Sequence, residues 1–271
     1  KNGKLNRNIG NSGFIKTGIV RAAPVIWNDY VIVATVDSQK VKYFDLKSGN
    51  KVFELNIHPE DRQFKGGSPW GGISFDKKNN LLFLTTGNPR PALLGSSRKG
   101  PNKNANSVIA IDLEKKEIAW SFQEVSHDLW DYDLPTPPVL GRLNKDGINI
   151  DVVVQPTKMG HLFVLDRTTG EPVYPVQEVS VPASNMPGEF SSPTQPFPPQ
   201  AFRLAMTRMD AENVTQLNGI ANARVREDLK DMLTGDVFIP PTYQKSVVLP
   251  QFNGGCEWGG AAFDVDSNTV I

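Results

Sequence analysis

The sequence predicts an all-β protein, a β-propeller built from repeated four-stranded sheets, or blades. Three observations carry this prediction. Short runs of alternating apolar residues recur along the chain, turn residues separate the runs, and 23 glycines and 21 prolines among 271 residues supply many turns. Repeated antiparallel meanders of this kind are typical of propellers, in which each blade packs on its neighbours around an axis.

The first predicted blade covers residues 22–55. Its four apolar runs lie at residues 23–27, 30–35, 41–45 and 51–55. The turns between them are short, as an antiparallel meander requires. Asp45 opens the last turn, where its carboxylate can accept hydrogen bonds from amides two or three residues later. Phe53 can then pack against a neighbouring sheet.

Two further blades are predicted at residues 70–123 and 137–177, and another begins at 245–271. The second and third blades repeat the pattern of the first. An apolar run ends in Asp112 or Asp166, and a turn leads to a last run that carries Trp120 or Tyr174. We expect these aromatic residues, like Phe53, to pack between neighbouring sheets.

A longer duplication supports the same fold. Residues 66–76 and 254–264 each carry paired glycines on both sides of a tryptophan, which is Trp70 in the first copy and Trp258 in the second. Paired glycines suit inner strands whose backbones approach closely near an axis. We expect Trp258 to be a packing residue of the core.

Residues 181–240 interrupt the repeats, and we call them the insertion. Its first part, 181–200, is rich in proline and extended. Its second part shows apolar residues at helical spacing over 210–233, with Asp210 as the expected N-cap. The apolar content predicts that this short helical insertion packs on the ring and is not a flexible linker.

The composition excludes several functions. Lysine and arginine total 29, as do aspartate and glutamate, so no net charge attracts nucleic acid or an anionic membrane surface. No apolar run reaches the ~18–20 residues that span a bilayer. The single cysteine, Cys256, excludes an internal disulfide and a cysteine-cluster metal site. The chain starts without methionine and stops inside a predicted strand, so we expect a fragment of a longer protein.

Residues 126–133, which we call the aspartate segment, contain three aspartates, a histidine and two aromatic residues. Aspartate disfavours both strand and helix, and the proline-rich stretch 134–138 that follows cannot extend either. The composition leaves two interpretations open. The segment is either a solvated turn or a site that holds carboxylates for chemistry.

Four motifs bear on this choice: Trp70, Thr-Thr-Gly-Asn-Pro at 85–89, the aspartate segment, and Pro-Thr-Lys-Met-Gly at 156–160. Together they resemble the pyrroloquinoline quinone (PQQ) dependent dehydrogenases, the quinoproteins that include methanol, ethanol and membrane glucose dehydrogenases. Residues 192–196 and 238–241 look most like the glucose dehydrogenase branch. The resemblance implies an eight-bladed propeller with PQQ lying across its axis beside a calcium ion. This chain would supply about half of such a ring.

The resemblance also implies roles for five residues. Asp131 is the catalytic base, which takes the hydroxyl proton of the substrate while hydride leaves for PQQ. Asn88 is a calcium ligand, Trp70 forms the floor under the planar quinone, and Lys158 contacts the quinone oxygens. Asp37 is the acid available as a second calcium ligand, in a loop that is shorter than the corresponding loop of the family.

Residues of these motifs also have ordinary structural interpretations. Asn88 lies in a Gly-Asn-Pro sequence that is common in turns, and Lys158 precedes Gly160 in a sequence that suits a surface turn. Asp128 and Asp133 are expected to accept hydrogen bonds from neighbouring amides. His127 is expected to pack near the site and not to act as a base.

The expected function is that of a PQQ- and calcium-dependent dehydrogenase that oxidises an alcohol, polyol or aldose sugar by base-assisted hydride transfer. Electrons would pass to ubiquinone or a cytochrome. By family resemblance the protein would work in the periplasm, with association to the inner membrane through regions outside this chain. Two alternatives stay open: a non-catalytic propeller that serves as a binding scaffold, and a relative that folds but no longer holds metal.

Overall fold

The apolar runs form antiparallel sheets in the computed structural model, which describes residues 4–271. The first sheet has four strands in the order of the chain: β1 Val25–Trp27, β2 Tyr30–Thr35, β3 Lys40–Asp45 and β4 Lys51–Asn56. The turn after β3 forms as predicted, because the Asp45 carboxylate accepts the amide hydrogens of Lys47 at 3.2 Å and Ser48 at 2.7 Å.

The second sheet also has four strands. In chain order, the strands of this region are β5 Lys65–Gly66, β6 Ile73–Asp76, β7 Leu81–Thr85, β8 Pro89–Arg90, β9 Ser107–Asp112 and β10 Glu117–Gln123. The sheet has the order β10-β9-β7-β6, while β5 pairs with β8 in a separate two-stranded ladder. Residues 86–106 therefore leave the sheet after β7 and return at β9.

The third sheet has three strands, β11 Val139–Lys145, β12 Ile148–Pro156 and β13 Leu162–Asp166. The run predicted as its fourth strand is reduced to one bridge between Leu165 and Pro172 and one hydrogen bond from the Val173 amide to the Val164 carbonyl, at 2.8 Å. Pro172 and Pro175 explain the difference, because neither has an N–H to continue the ladder.

Two antiparallel strand pairs, one 3₁₀ helix and one α-helix complete the described elements. They are β14 Gln177–Ser180 with β15 Thr194–Phe197, β16 Phe263–Asp264 with β17 Thr269–Val270, the 3₁₀ helix Gln200–Phe202 and the α-helix α1 Gly219–Leu229. The predicted all-β class with a short helix is confirmed. No helix within residues 4–271 has the length and apolar character needed to cross a membrane.

The core lies between neighbouring sheets and follows the two-residue period of the strands. Leu82 and Leu84 of β7 join a buried cluster with residues of the first sheet, such as Tyr43. Leu81 and Phe83, on the opposite face, join a second cluster with residues of β13 and the insertion. The second sheet is thus apolar on both faces, as expected for a sheet stacked between neighbours around an axis.

Trp120 confirms the prediction that an aromatic residue packs between sheets. Its indole Nε1 donates to the Arg167 carbonyl at 3.1 Å, in the turn that follows β13. A Cβ on Gly170, whose φ is +77°, would lie 2.6 Å from the Trp120 ring. The prediction for Trp258 is wrong, because its side chain is 77% exposed in the irregular stretch before β16.

The predicted start of the helix is also wrong. Helix α1 begins at Gly219, and its N-cap is Asn218, whose side chain accepts the Ala221 amide at 2.8 Å. Asp210 instead accepts the amides of Glu212 and Asn213, at 3.0 and 3.1 Å. An aspartate that bonds amides two and three residues later supports an isolated turn as well as a helix start.

Candidate active site

The aspartate segment is an irregular loop organised from within by Asp128. This side chain is 1% exposed and accepts the amides of Trp130 at 2.8 Å and Tyr132 at 2.9 Å, as well as the Asn106 side-chain amide at 3.0 Å. Burial raises the pKa of Asp128 to about 6, and the bond from Trp130 opposes that shift. These contacts give Asp128 the structural role expected of it.

Asp133 joins the segment to two other parts of the chain. Its Oδ1 accepts the Asn88 amide at 2.8 Å and the Trp70 indole Nε1 at 3.2 Å. Burial raises the pKa of Asp133, and the bond from Asn88 opposes the rise. Gly87 permits this approach, because a Cβ there would lie 2.3 Å from Asp133 Oδ1. Asp133 therefore holds Trp70 and Asn88 in place beside Asp131.

Asp131 lies at the meeting point of three segments. Asn88 Nδ2 donates to Asp131 Oδ1 at 2.5 Å. Lys158 Nζ donates to the Asp131 carbonyl at 2.7 Å and to Oδ2 at 3.1 Å. The side chains of Asp131 and Lys158 are 20% and 9% exposed, so the carboxylate remains reachable from solvent while the ammonium is largely enclosed.

Strand ends explain this convergence. Asn88 follows the end of β7, and Lys158 follows the end of β12, the central strand of the next sheet. A turn closes directly after Lys158: the Thr157 hydroxyl donates to the His161 carbonyl at 2.9 Å, and the His161 amide donates back to that hydroxyl at 3.0 Å. The Gly255 amide also donates to the Lys158 carbonyl, at 2.7 Å. Packed strands thus fix the loops that carry both side chains.

A cavity of about 480 Å³ opens beside this cluster. Trp70, Asn88 and Asp133 line it, together with Arg21, Val36, Gln39, Ser68 and Arg90, among others. Sequence reasoning missed Arg21 and Arg90, since they belong to no motif. Within residues 4–271, the side chains of Arg21 and Arg90 make no hydrogen bond or ion pair with another residue. Two cations without a partner among these residues therefore line the cavity.

Asp37, the other predicted calcium ligand, lies apart from the cluster. Its side chain is exposed, and Oδ1 accepts the Ile19 amide at 3.2 Å. The loop that carries it reaches the cavity through Val36 and Gln39 instead. Within residues 4–271, no group of three or more His, Cys, Asp or Glu side chains is placed to hold a metal ion.

His127 packs behind the site. It is fully buried, its Nδ1 lies 2.7 Å from the Gly100 carbonyl, and its Nε2 lies 3.6 Å from Glu189 Oε1. Burial lowers the pKa of His127, although the contact with Gly100 opposes the shift. A histidine enclosed in this way is far from the solvent that a base must exchange protons with.

The donor set fits the cofactor and metal implied by the resemblance. Asp131 and Asn88 offer carboxylate and amide oxygens, the hard donors that calcium takes, and Asn88 Oδ1 accepts no hydrogen bond from residues 4–271. Trp70 offers a large aromatic face on the cavity, suited to a planar quinone. Arg21 and Arg90 suit the carboxylates of PQQ, which is a tricarboxylic acid.

Comparison with known proteins agrees with this chemistry. The chain matches the family described as PQQ: Glucose/ethanol/alcohol dehydrogenase, beta-propeller domain, over residues 4–271. It is 29% identical over 304 residues to the quinoprotein glucose dehydrogenase of Escherichia coli (strain K12), covering 100% of this chain and 38% of that protein. It is 34% identical over 207 residues to a probable quinate dehydrogenase (quinone) of Xanthomonas campestris pv. juglandis, covering 74% of this chain and 26% of that protein.

A solved structure shares the fold. The quinohemoprotein alcohol dehydrogenase from Comamonas testosteroni aligns with a TM-score of 0.60 at 20% identity, over 94% of this chain and 36% of that one. The predicted propeller is therefore confirmed. The chain spans less than two fifths of the length of the two curated relatives above, 38% of one and 26% of the other. With the family matched over residues 4–271, the chain belongs to the PQQ-dependent glucose/ethanol/alcohol dehydrogenases.

Proposed function

We propose that the protein is a PQQ- and calcium-dependent dehydrogenase that oxidises an alcohol, polyol or aldose sugar. One observation carries the proposal: Asn88, Asp131 and Lys158, from three separate segments, are joined by hydrogen bonds, and Asn88 lines the same cavity as Trp70. A scaffold needs the blade turns and the packing aromatics, but it gains nothing from an amide, a carboxylate and an ammonium at one point. The cluster therefore favours the enzyme over the non-catalytic alternative.

Asp131 would act as the base. Its carboxylate is the partly exposed member of the cluster, and it can accept the hydroxyl proton of a substrate that reaches its exposed side. The bound cofactor and metal would supply the other half of the chemistry, a quinone that accepts hydride and a Lewis acid that polarises its carbonyl. Asp131 would release its proton to the water that its exposed side contacts.

The remaining residues would bind and orient. Asn88 would supply a calcium ligand, and Asp37 would have to leave the Ile19 amide in order to join it. Trp70 would hold the plane of the quinone by stacking, since Asp133 already fixes its indole. Lys158 would stabilise negative charge near Asp131 and on the quinone oxygens. Arg21 and Arg90 would pair with carboxylates of the cofactor.

The names of relatives extend the proposal to the substrate, the electron acceptor and the location. Relatives bear the names glucose, glycerol and quinate dehydrogenase, so a hydroxyl group of an alcohol, polyol or sugar is the proposed site of oxidation. The acceptor would be ubiquinone or a cytochrome, since one relative is named a quinone-dependent and another a cytochrome c-dependent enzyme. The periplasm is the proposed location, with any membrane association made through regions outside this chain.

The proposal is tested on the full-length protein reconstituted with calcium and PQQ. Dye reduction is measured with a panel of sugars, polyols and alcohols for the wild type and for Asp131→Asn, which keeps the shape of the side chain and removes its basicity. We expect the variant to bind PQQ and to lose activity by a factor of at least about 100. Undiminished turnover in Asp131→Asn would rule out this base.

A titration of PQQ with and without a calcium chelator separates the enzyme from the scaffold. The expected result is saturable binding that the chelator abolishes. Lack of calcium-dependent binding by the wild type would leave the scaffold, or a relative that no longer holds metal, as the better description.

A further inference from the structure

The insertion and the aspartate segment are fastened together at several points, beginning at Ser126. Gln195 is fully buried, and its side-chain amide meets the Ser126 backbone twice. Gln195 Oε1 accepts the Ser126 amide at 2.8 Å, and Nε2 donates to the Ser126 carbonyl at 2.6 Å. One side chain thus takes the place that a neighbouring strand would occupy, and it fixes the start of the segment.

Glu189 forms the second point of contact. Its side chain is 2% exposed, and Oε1 lies 3.6 Å from His127 Nε2. Oε2 accepts the Gly95 amide at 2.7 Å, which ties the insertion to the loop that follows β8. The Phe190 ring packs edge-on against His127, with 4.8 Å between the ring centroids. His127 is therefore enclosed by two consecutive residues of the insertion.

The third contact holds the residues on either side of Asp131. Trp130 Nε1 donates to the Ile239 carbonyl at 2.7 Å. The Tyr132 hydroxyl lies 2.7 Å from the Val237 carbonyl and 2.7 Å from the Leu249 carbonyl, the latter just beyond the insertion. Both rings pack on Phe238, with centroid distances of 5.0 and 5.9 Å.

Asp131 itself has a backbone conformation that needs stabilising contacts from its surroundings. Its φ is +65°, and that of His127 is +51°, both in the left-handed region that side chains other than glycine enter at a cost. Such conformations persist where surrounding contacts determine them. The bonds of Asp128 supply part of this support from within the segment, and the contacts with the insertion supply the rest.

We infer that the insertion is a positioning element for the catalytic base, acting through Gln195 on Ser126 and through its backbone carbonyls on Trp130 and Tyr132. It holds the aspartate segment in the one conformation that directs the Asp131 carboxylate to Asn88 and Lys158. The inference rests on the proposed function of Asp131 as the base. Gln195 and Tyr132 touch no reacting atom in this arrangement, so they are positioning residues.

The test uses two variants in the full-length protein, one at each end of the segment. Gln195→Met keeps the length of the side chain and removes both bonds to Ser126, and Tyr132→Phe removes only the hydroxyl. Gln200→Met and Tyr174→Phe are the matched controls. Gln200 is exposed at the 3₁₀ helix, and the Tyr174 ring packs on Phe202 at 4.7 Å, away from the segment.

Two readouts distinguish positioning from simple structural support. In the absence of cofactor, hydrogen exchange of the peptide that contains residues 126–133 should quicken by roughly tenfold in both variants, because each loses contacts that hold this backbone. In the loaded enzyme kcat should fall by about 10- to 100-fold, while the Kd of PQQ and the KM of the substrate stay within about threefold. Both controls should match the wild type in every measurement.

An unchanged exchange rate and unchanged kcat in both variants would overturn the inference. So would a lower melting temperature accompanied by wild-type kcat and wild-type exchange below the transition, since that pattern describes a packing role alone. A wild-type enzyme without activity toward any substrate would count against the proposed function instead, and the exchange experiment would still decide whether the insertion holds the segment.

Discussion

Lys158 binds Asp131 twice, through the backbone carbonyl at 2.7 Å and through the carboxylate Oδ2 at 3.1 Å. The lysine therefore contacts both the backbone and the carboxylate of the aspartate. The ammonium is 9% exposed, and low exposure strengthens both interactions relative to a surface ion pair.

Replacement of Lys158 by methionine should separate these effects from packing, because methionine keeps the unbranched stem. We expect kcat/KM for the substrate to fall by about 100- to 1,000-fold, since a preorganised cation beside the reacting groups is lost. Lys145→Met is the matched control: Lys145 donates to the Val173 carbonyl at 2.8 Å in the third blade, away from the cavity. Equal losses in both variants would contradict a specific role for Lys158.

Calcium affinity should depend on Asn88 more than on Asp37. Asn88→Ala removes an oxygen donor next to Asp131, and we expect calcium affinity to fall by at least roughly tenfold. Asp37→Asn should change it by less than about threefold, because the Asp37 carboxylate bonds the Ile19 amide and not the cluster. Calcium titration monitored by PQQ binding measures both. A large loss in Asp37→Asn alone would restore Asp37 as the leading ligand.

Glu124 should make the stability of the fold dependent on pH. Its carboxyl group is fully buried, neither oxygen has a hydrogen-bond partner within residues 4–271, and burial raises its pKa well above 4.5. Glu124 therefore ionises more readily in the unfolded chain than in the folded one. The contribution of the Glu124 carboxyl group to the free energy of unfolding is therefore fully present below about pH 4.5. It is lost as the pH rises towards the pKa of the folded state.

Glu124→Gln removes this dependence, because glutamine does not ionise. We expect the variant to be more stable than the wild type at pH 8 and about equally stable at pH 4, as measured by urea denaturation at each pH. Glu117→Gln, on the exposed side of β10, is the control and should show no such difference. A wild-type advantage at pH 8 would mean that the Glu124 carboxylate has a partner in solution.

Trp120 should contribute strongly to the contact between the second and third blades. It is 9% exposed, packs on Phe83 with 5.7 Å between ring centroids, and donates to the Arg167 carbonyl. Trp120→Ala should lower the free energy of unfolding by about 3–5 kcal/mol, through lost burial and the cavity left behind. Leu217→Ala, at a residue 83% exposed, should lower it by less than about 0.5 kcal/mol. Denaturant titration measures both changes.

Local chemistry made much of the fold predictable. Asp45, Asp112 and Asp166 each accept amides two and three residues later, as their positions after apolar runs predicted. Such turns depend on neighbours in sequence, and so does strand periodicity. The prediction of a fourth strand in the third blade was wrong for an equally local reason. Two prolines interrupt the ladder there, and their effect could have been anticipated.

Motifs were sufficient to propose the residues of the site, but not the hydrogen bonds that connect them. Motifs indicated Trp70, Asn88, Asp131 and Lys158, and hydrogen bonds connect all four, with Asp133 as the link between Trp70 and Asn88. The bonds of Asp133 to Asn88 and Trp70 span 45 and 63 residues, and no sequence period reports contacts of that kind. Arg21 and Arg90 were missed for the same reason. Asp37 was chosen for its charge, whereas its backbone neighbourhood determines where the carboxylate points.

Strand β7 constrains how this family member can change length. Its residues alternate between two separate cores, and the chain reaches Asn88 only three residues after the strand ends. Removal of one residue from β7 would exchange the two faces and draw Asn88 away from Asp131 at once. Natural variants should therefore keep the length of β7 and of the three residues that lead to Asn88, so that a constant length in this stretch is itself a record of where the site is anchored.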